Sequence, residues 1–147
     1  KKTYEKMKEG CLNLSYPNRY MIAHGGGIED FSAIPGGINE MMMQSHEEVI
    51  RVFPSWPSGK NAKFFHLRAY GAFLVSAEMK NDEVQWIEII SEWGRTLTIQ
   101  LPWEADIYRN GVQEKNGVQG RIMLETGVGD LLVFQKAGTG TEPFTKR

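Results

Sequence analysis

Short segments in which apolar and polar residues alternate follow one another through the second half of the chain, and they constrain its fold most strongly. The clearest is Leu97–Leu101, where leucine and isoleucine alternate with threonine and glutamine. A period of two residues is typical of strands with one buried face. The dipeptides Asn110–Gly111 and Asn116–Gly117 are hairpin turn signals. Roughly eight short strands at this spacing predict an antiparallel β-sandwich.

The predicted strands begin at Val49–Phe53, an almost wholly apolar segment that we expect to be buried on both faces. Pro54 and Pro57 end this strand, because proline cannot donate a ladder hydrogen bond. The other predicted strands are Phe64–Arg68, Phe73–Met79, Val84–Ile90, Leu97–Leu101, Ala105–Tyr108, Gly111–Glu114, Arg121–Leu124 and Leu131–Gln135. Turns are predicted at Lys80–Asp82 and at Trp93–Gly94.

Helical patterns dominate the first third of the chain. Tyr4–Leu14 carries apolar residues spaced three and four positions apart, which predicts an amphipathic helix. A second helix is predicted over Pro35–His46, because proline suits the first helical position. The methionine run Met41–Met43 favours core packing over a binding surface, since methionine fills irregular gaps. The sequence therefore predicts an α+β fold, with one or two N-terminal helices followed by an antiparallel β-sandwich.

Composition and charge limit the possible partners. The chain has 147 residues, 41% of them hydrophobic, which suffices for one domain with its own core. The net charge of −1 argues against a nucleic-acid or membrane-surface partner, and no apolar segment has the ~20 residues of a membrane span. Cys11 is the single cysteine, and the three histidines lack ligand spacing, so we predict no internal disulfide, no metal site and no cofactor.

A glycine-rich segment with acidic residues, Asn18–Ala33, lies between the two predicted helices. Gly25–Gly27 allow positive φ and close backbone approach, and Glu29 and Asp30 follow at once. The segment is expected to be a loop, and long loops of this composition are often functional. A solvated connector is the alternative. The segment lacks the glycine and lysine pattern of a phosphate-binding loop, so it is not predicted to hold a phosphate.

Paired carboxylates are the only catalytic chemistry that the residues suggest. Glycosidases place two acids across the bond they cleave, about 6.5–9.5 Å apart in inverting enzymes. Neighbours such as Glu29 and Asp30 point in different directions, so at most one of them belongs to such a pair. Tryptophans offer stacking surfaces for sugar rings, but in sandwiches they are more often core residues. The tryptophans of this chain are Trp56, Trp86, Trp93 and Trp103.

Two longer segments resemble a known family. They are GGGIEDFSAIPGGINEMMMQSHEEVIRVFPSWP and FFHLRAYGAFLVSAEMKNDEVQWIEIISEWGRTLTIQLPW. Within them, INEMMMQSH resembles the last barrel helix of the family ninety-five glycoside hydrolases, and LRAYGAFLVSAEMK resembles their LRARGGFEVSLEWK hairpin. Those enzymes are large inverting α-L-fucosidases and relatives. The resemblance covers most of Tyr4–Phe134 and implies an (α/α)₆ catalytic barrel followed by a C-terminal β-domain.

The resemblance also implies where a catalytic site lies. The family's late catalytic acid sits in a segment like QIDGNFG, which corresponds here to GIEDFSA at Gly27–Ala33. Glu29 or Asp30 would then be the catalytic acid. The family's glycine and asparagine are absent here, which predicts a divergent member that acts on another sugar or is inactive. His24 and Trp56 are the predicted substrate contacts.

The resemblance implies that residues 1–47 are the terminal helices and glycine-rich loop of the barrel, residues 48–137 the β-sandwich and residues 138–147 a flexible tail. The chain starts part-way into a helical pattern, so we expect a piece of a longer protein that has no measurable glycosidase activity alone. Its expected partners are a carbohydrate substrate and an upstream barrel of the same chain. By the same resemblance, the protein is expected outside the cytoplasm. The alternatives are a carbohydrate-binding module that binds glycans through its tryptophans, and a plain structural domain.

Overall fold

The structure, a computed structural model, describes residues 2–13 and 28–139. In these ranges the chain forms ten strands and two helices, α1 (Lys2–Asn13) and α2 (Ile28–Met42). The strands are β1 (Met43–Gln44), β2 (Arg51–Val52), β3 (Ala62–Ala69), β4 (Phe73–Lys80), β5 (Glu83–Ser91), β6 (Leu97–Gln100), β7 (Ala105–Arg109), β8 (Val112–Val118), β9 (Arg121–Leu124) and β10 (Leu131–Lys136). A 3₁₀ turn at His46–Glu48 connects β1 to β2. The fold is therefore α+β with a β-sandwich-like body, as the alternating patterns predict.

Six strands form the larger layer, an antiparallel sheet in the order β3-β4-β5-β10-β7-β8. The last strand, β10, lies between β5 and β7 and pairs with both. Side chains alternate across this sheet, as β4 illustrates. There Phe73, Val75 and Ala77 are buried, while Leu74 and Glu78 are only partly buried. Ser76 is buried as well and Met79 is only partly buried, so the predicted strand is confirmed but its alternation in burial is incomplete.

Two pairs of short strands form the second layer. β1 pairs with β2, and β6 pairs with β9, both antiparallel. Ile50 joins the two pairs through a parallel bridge to Ile99. The amide of Ile50 donates to the carbonyl of Thr98 at 2.9 Å, and its carbonyl accepts from the amide of Gln100 at 2.9 Å. The segment predicted as one strand at Val49–Phe53 therefore acts as a bridge followed by the short β2.

One hydrophobic core lies between the two layers, and both layers contribute to it. Its large apolar side chains with the lowest exposure are Ile50, Ile87, Ile89, Leu97, Ile99, Ile107, Leu132 and Phe134. Burial of apolar surface, at about 25 cal/mol per Å², is the main favourable contribution to folding. Met43 belongs to the same core and Met41 is buried as well, so core packing is confirmed for these two methionines.

Two hairpin turns follow from the local sequence. Asn110 (φ 51°) and Gly111 (φ 82°) connect β7 to β8, and Asn81 (φ 51°) and Asp82 (φ 63°) connect β4 to β5. A turn of this kind needs positive φ at both central residues, and asparagine, aspartate and glycine tolerate it best. Both turns were expected from these dipeptides, and both predictions are confirmed.

The second helix begins earlier than predicted. It starts at Ile28, so the last part of the predicted loop, Ile28–Ala33, is helical, and Pro35 lies inside the helix instead of at its start. A proline inside a helix removes one backbone hydrogen bond, and here the helix continues past it. The preference of proline for first helical positions was therefore misleading. The remainder of the predicted loop, residues 18–27, lies outside the described ranges.

The same helix ends at Met42, before the predicted end at His46. Met43 and Gln44 leave it as β1, because they pair with β2 and the carbonyl of Met42 accepts from the amide of Phe53 at 2.6 Å. Helix and strand therefore meet without a linker. The β1–β2 hairpin also pairs residues from both sides of the predicted boundary between positions 47 and 48.

The dipeptide Asn116–Gly117 is not a turn, and that prediction is wrong. Both residues belong to β8, whose pairing with β7 shifts register twice. Gly117 takes φ 59° in this irregular stretch, and its amide donates to Asp106 Oδ1 at 3.0 Å. The glycine serves a β-bulge, which can require positive φ as a turn does. The strand predicted at Gly111–Glu114 is correspondingly longer.

A short turn follows β10. The amide of Thr139 donates to the carbonyl of Lys136 at 3.2 Å, and the amide of Gly138 donates to Asp106 Oδ2 at 3.2 Å. The other residues of the predicted flexible tail, 140–147, lie outside the described ranges.

Candidate functional site

The predicted catalytic residues lie on a helix. Glu29 and Asp30 belong to the first turn of α2, not to a loop. Their side chains, like the whole of His24, lie outside the part of the chain that the structure describes. The assignment of the catalytic acid to Glu29 or Asp30 therefore stays a prediction, as does a role for His24 in substrate binding.

Trp56 packs at the junction between α1 and the sandwich. Its ring makes edge-to-face contacts with Tyr4 of α1 and with Phe53 of the core, and the ring centroids are 6.3 Å apart in both pairs. Its Nε1 donates to the carbonyl of Lys60 at 3.0 Å. The side chain is half-buried against the core. These contacts connect the helix to the sandwich and leave only part of the indole open to a ligand.

The other tryptophans divide between core and surface. Trp86 is buried, and its Nε1 donates to Glu78 Oε2 at 3.0 Å. Trp103 packs against the core, and its Nε1 donates to the carbonyl of Val84 at 2.7 Å. Trp93 is 66% exposed. The core interpretation is therefore confirmed for Trp103, while Trp86 is buried beside Phe65 outside the core cluster and Trp93 presents its ring to solvent.

An open cleft of about 400 Å³ lies where the two layers meet, near Trp93. Ile50 and Phe73 lie at its floor, but both are buried core residues that expose little surface to the cleft. Its walls come from separate parts of the chain. We call it the Tyr70 cleft, and its lining residues are Glu48, Ile50, Tyr70, Gly71, Phe73, Gly94, Arg95, Thr96, Thr98 and Glu125.

Tyr70 stands in the tight turn between β3 and β4, with its ring 58% exposed. The turn needs positive φ at Gly71 (86°) and Ala72 (62°). Two hydrogen bonds hold it: the amide of Tyr70 donates to Ser45 Oγ at 3.0 Å, and the carbonyl of Ala72 accepts from the amide of Glu92 at 3.0 Å. The backbone that carries the Tyr70 ring is therefore attached to both neighbouring segments.

The polar side chains of the cleft carry charges of both signs. Arg95 lies over the Trp93 ring, with its guanidinium carbon 5.1 Å from the ring centroid. Thr96 Oγ1 lies 3.0 and 3.1 Å from the two carboxylate oxygens of Glu125. Glu48 is exposed at the rim. The cleft thus combines an aromatic face, one cation and two carboxylates, a set that can bind a polar ligand with hydroxyl groups.

Sequence patterns alone did not single out this cleft. Tyr70 and Arg95 lie in connections between strands, and Glu48 and Glu125 come from distant parts of the chain. The available local signal was an aromatic residue beside a turn glycine, which occurs at Tyr70–Gly71 and at Trp93–Gly94. That signal does not show which turns lie side by side, since the pairing of distant strands decides this.

Arg109 organises a charge network behind the cleft wall. Its Nε donates to Glu114 Oε2 at 2.8 Å, its guanidinium pairs with Asp130, and it also donates to the carbonyl of Glu125 at 2.8 Å. The hydrogen bond between Arg109 and Glu114 lowers the pKa of Glu114 and also raises the pKa of Arg109. The amide of Gly127 is the main cause that lowers the pKa of Asp130. The network fixes residues 125–130 and with them one wall of the cleft.

Comparison with known proteins gives no match, either to a protein-family model or to a curated protein sequence. Within residues 2–13 and 28–139, no group of three or more histidine, cysteine or acidic side chains is placed to hold a metal ion. No helix in the same ranges is both long and apolar enough to span a membrane.

Acidification should weaken the Asp130 network. Because folding lowers the pKa of Asp130 below its ordinary 3.8, its contribution to stability is present above that value and is lost as the pH falls through the lower folded pKa. We expect Asp130→Asn to be less stable than wild type at neutral pH, with the difference shrinking below about pH 4. Urea unfolding at several pH values measures this. Glu5→Gln, at an exposed site on α1, is the control, and an equal pH dependence in wild type and Asp130→Asn would contradict the prediction.

Proposed function

We propose that this chain is the C-terminal part of a glycoside hydrolase similar to the family ninety-five enzymes, in which the sandwich supports a catalytic barrel of helices. In this proposal α1 and α2 are the last barrel helices, and the first turn of α2 contributes one catalytic acid. The enzyme meets its glycan outside the cytoplasm. The observation that carries the proposal, beside the resemblance in sequence, is the incomplete burial of the two helices.

Neither helix has a fully buried apolar face within the described ranges. No described side chain of α1, or of α2 before Met41, is buried. The apolar side chains of Ile34 and Ile38 are only partly buried, as is Met7, which lies against Gly37 of α2. Short helices gain most of their stability by packing an apolar face, so such residues are suited to contact further helices. A helical barrel would supply that contact.

The connection between the helices and the sandwich also supports the proposal. A Cβ at Gly37 would lie 2.8 Å from Met7 Cε, so α1 and α2 approach closely at this point. α2 passes into β1 without a linker, and Tyr4 of α1 contacts Trp56. A sandwich joined to two helices in this way suits the task of holding the end of a barrel in a defined orientation.

The proposed chemistry requires two carboxyl groups. In an inverting glycosidase one acid protonates the leaving oxygen and the other, about 6.5–9.5 Å away, activates a water molecule. Glu29 and Asp30 are adjacent, so they supply one member of the pair, and the barrel supplies the other. Negative charge is stabilised near a helix N-terminus, which suits the carboxylate that activates water.

The test is turnover by the parent enzyme, that is, this chain joined to its upstream barrel. We expect hydrolysis of aryl α-L-fucosides or aryl galactosides. Either Glu29→Gln or Asp30→Asn should lower kcat by about 100-fold or more, which is the usual contribution of a general acid or base. Glu47→Gln changes an exposed acid in the 3₁₀ turn and should leave kcat unchanged. The 147-residue chain alone should not turn over these substrates.

Two results would contradict this proposal. If the isolated chain hydrolyses an aryl glycoside and loses that activity in Glu29→Gln or Asp30→Asn, no barrel is needed. If the parent enzyme keeps its full kcat in both variants, the catalytic acid lies elsewhere. Circular dichroism of each variant separates a loss of chemistry from a loss of folding.

A further inference from the structure

We infer that the Tyr70 cleft binds one neutral pyranose unit of a glycan. The inference depends on the proposed function for the presence of a glycan, but the cleft is made of residues other than the proposed catalytic acids. It would act as an accessory sugar subsite on the sandwich. Its shape, its polar groups and the rigidity of its walls each bear on this assignment.

The shape of the cleft suits a single sugar ring. Its volume of about 400 Å³ is near the lower end of the range for small-molecule sites, which is about 300–1,000 Å³. Ile50 and Phe73 at the floor are almost fully buried, so the main apolar surface that the cleft offers a ligand is the side chain of Tyr70, a residue that is 58% exposed at the wall. A pyranose has an apolar face of C–H groups, and an exposed tyrosine offers it a flat surface together with a polar hydroxyl.

The polar groups of the cleft favour a neutral ligand. Sugar hydroxyls both donate and accept hydrogen bonds, so they can pair with the Glu48 carboxylate and with the Arg95 guanidinium. An anionic sugar would be repelled by the two carboxylates of Glu48 and Glu125 and attracted only by the single positive charge of Arg95. The Arg95 guanidinium lies over the Trp93 ring, 5.1 Å from its centroid, a weak attraction between two exposed side chains.

The walls of the cleft are held in place and include unusual backbone conformations. Glu48 (φ 61°) and Ala72 (φ 62°) both adopt the left-handed region, which non-glycine residues rarely do. Six other non-glycine residues among those described also have positive φ and do not line the cleft, so this conformation does not by itself mark a binding site. The hydrogen bonds from Tyr70 to Ser45 and from Glu92 to Ala72 attach the turn at both sides. A wall fixed in advance reduces the entropy that a ligand must overcome.

The test is titration of the ¹⁵N-labelled chain with methyl α-L-fucopyranoside and methyl β-D-galactopyranoside, followed by NMR. At least one of these should shift the amides of Gly71, Gly94 and Thr98, with a Kd of about 1–10 mM, as expected for so small a ligand. Tyr70→Ala should raise this Kd about tenfold or more, and Tyr70→Phe should restore it, because the ring face makes the contact. D-glucuronate should bind more weakly than the neutral sugars.

Phe65→Ala is the matched control, since Phe65 is another aromatic residue on β3, is 53% exposed and does not line the cleft. It should leave the Kd unchanged. The inference is overturned if neither glycoside shifts the cleft amides at tens of millimolar, or if Phe65→Ala weakens binding while Tyr70→Ala does not. Unchanged amide dispersion in Tyr70→Ala would show that the variant is folded.

The inference and the proposed function can fail separately. If Glu29→Gln or Asp30→Asn abolishes hydrolysis by the parent enzyme, but neither glycoside shifts the amides of the cleft, only the subsite is overturned. Shifts at the cleft that depend on Tyr70, together with full turnover in both acid variants, would overturn the proposed acid and leave the subsite standing.

Discussion

Replacing Phe134 with alanine is expected to lower the free energy of unfolding by about 3–5 kcal/mol, the range for truncating a buried phenylalanine. Phe134 is 0% exposed and lies in β10, opposite Ile87 of β5 and Ile107 of β7. The cavity left by the ring would remove packing on both neighbouring strands at once. Since domains are stable by only about 5–15 kcal/mol, this one change removes a large share of the total.

Urea unfolding followed by tryptophan fluorescence measures the effect. Val112→Ala is the control, because Val112 is 71% exposed in the edge strand β8 and should change stability by less than about 0.5 kcal/mol. A loss below about 1 kcal/mol in Phe134→Ala, with an unchanged denaturant slope, would contradict the position of Phe134 at the core centre.

Replacing Ile50 with proline is the second change with a large expected effect, about 3 kcal/mol or more, because it removes a hydrogen bond and the packing of an almost fully buried isoleucine. The amide of Ile50 donates to the carbonyl of Thr98, and proline has no amide hydrogen to replace it. The Thr98 carbonyl would lose its partner, which costs roughly 1–3 kcal/mol for a buried group, and the two strand pairs of the second layer would lose their link. Val49 is already extended (φ −110°, ψ 117°), so the residue before the new proline causes no further conflict.

Ile50→Val isolates the contribution of the amide. It keeps the hydrogen bond and removes one methylene from a residue that is 1% exposed, so it should cost about 0.5–1.5 kcal/mol. Hydrogen exchange should show faster opening of the Gln100 amide, which donates to the Ile50 carbonyl, in the proline variant only. Equal costs for Ile50→Pro and Ile50→Val would show that the bridge does not hold the layer together.

Local chemistry was sufficient to predict most of the strands and the simplest turns. The alternation at Leu97–Leu101 places Leu97, Ile99 and Leu101 in the core, and the structure buries all three. Asn110–Gly111 forms a turn with positive φ at both residues. These features depend on side-chain period and on backbone sterics, which neighbouring residues decide among themselves.

Features that depend on distant partners were predicted less well. Asn116–Gly117 has the composition of a turn, yet pairing with β7 makes it a bulge within β8. α2 was predicted to continue to His46, yet the pairing of Met43 with Val52 ends it earlier. In both cases the local preference was compatible with two conformations, and contacts far along the chain selected one of them.

The Tyr70 cleft illustrates the same limit for function. Its walls combine the 3₁₀ turn before β2, the β3–β4 turn, the connection after β5 and the residue that follows β9. Each segment, considered alone, is a connection that does not show which other segments lie beside it. They lie together because β6 and β9 form a layer of their own, which Ile50 joins to the first hairpin.

The sequence by itself determined that the chain is α+β, where most of the strands lie, and the two hairpin turns at Asn81–Asp82 and Asn110–Gly111. These follow from the period of apolar residues and from the few residue types that accept positive φ. Only the tertiary structure decided that β10 lies between β5 and β7, that Trp56 packs between α1 and the sandwich, and that Tyr70, Arg95 and Glu48 share one cleft. Many strand orders satisfy the same alternation, and the order is selected by which apolar faces fill one core together.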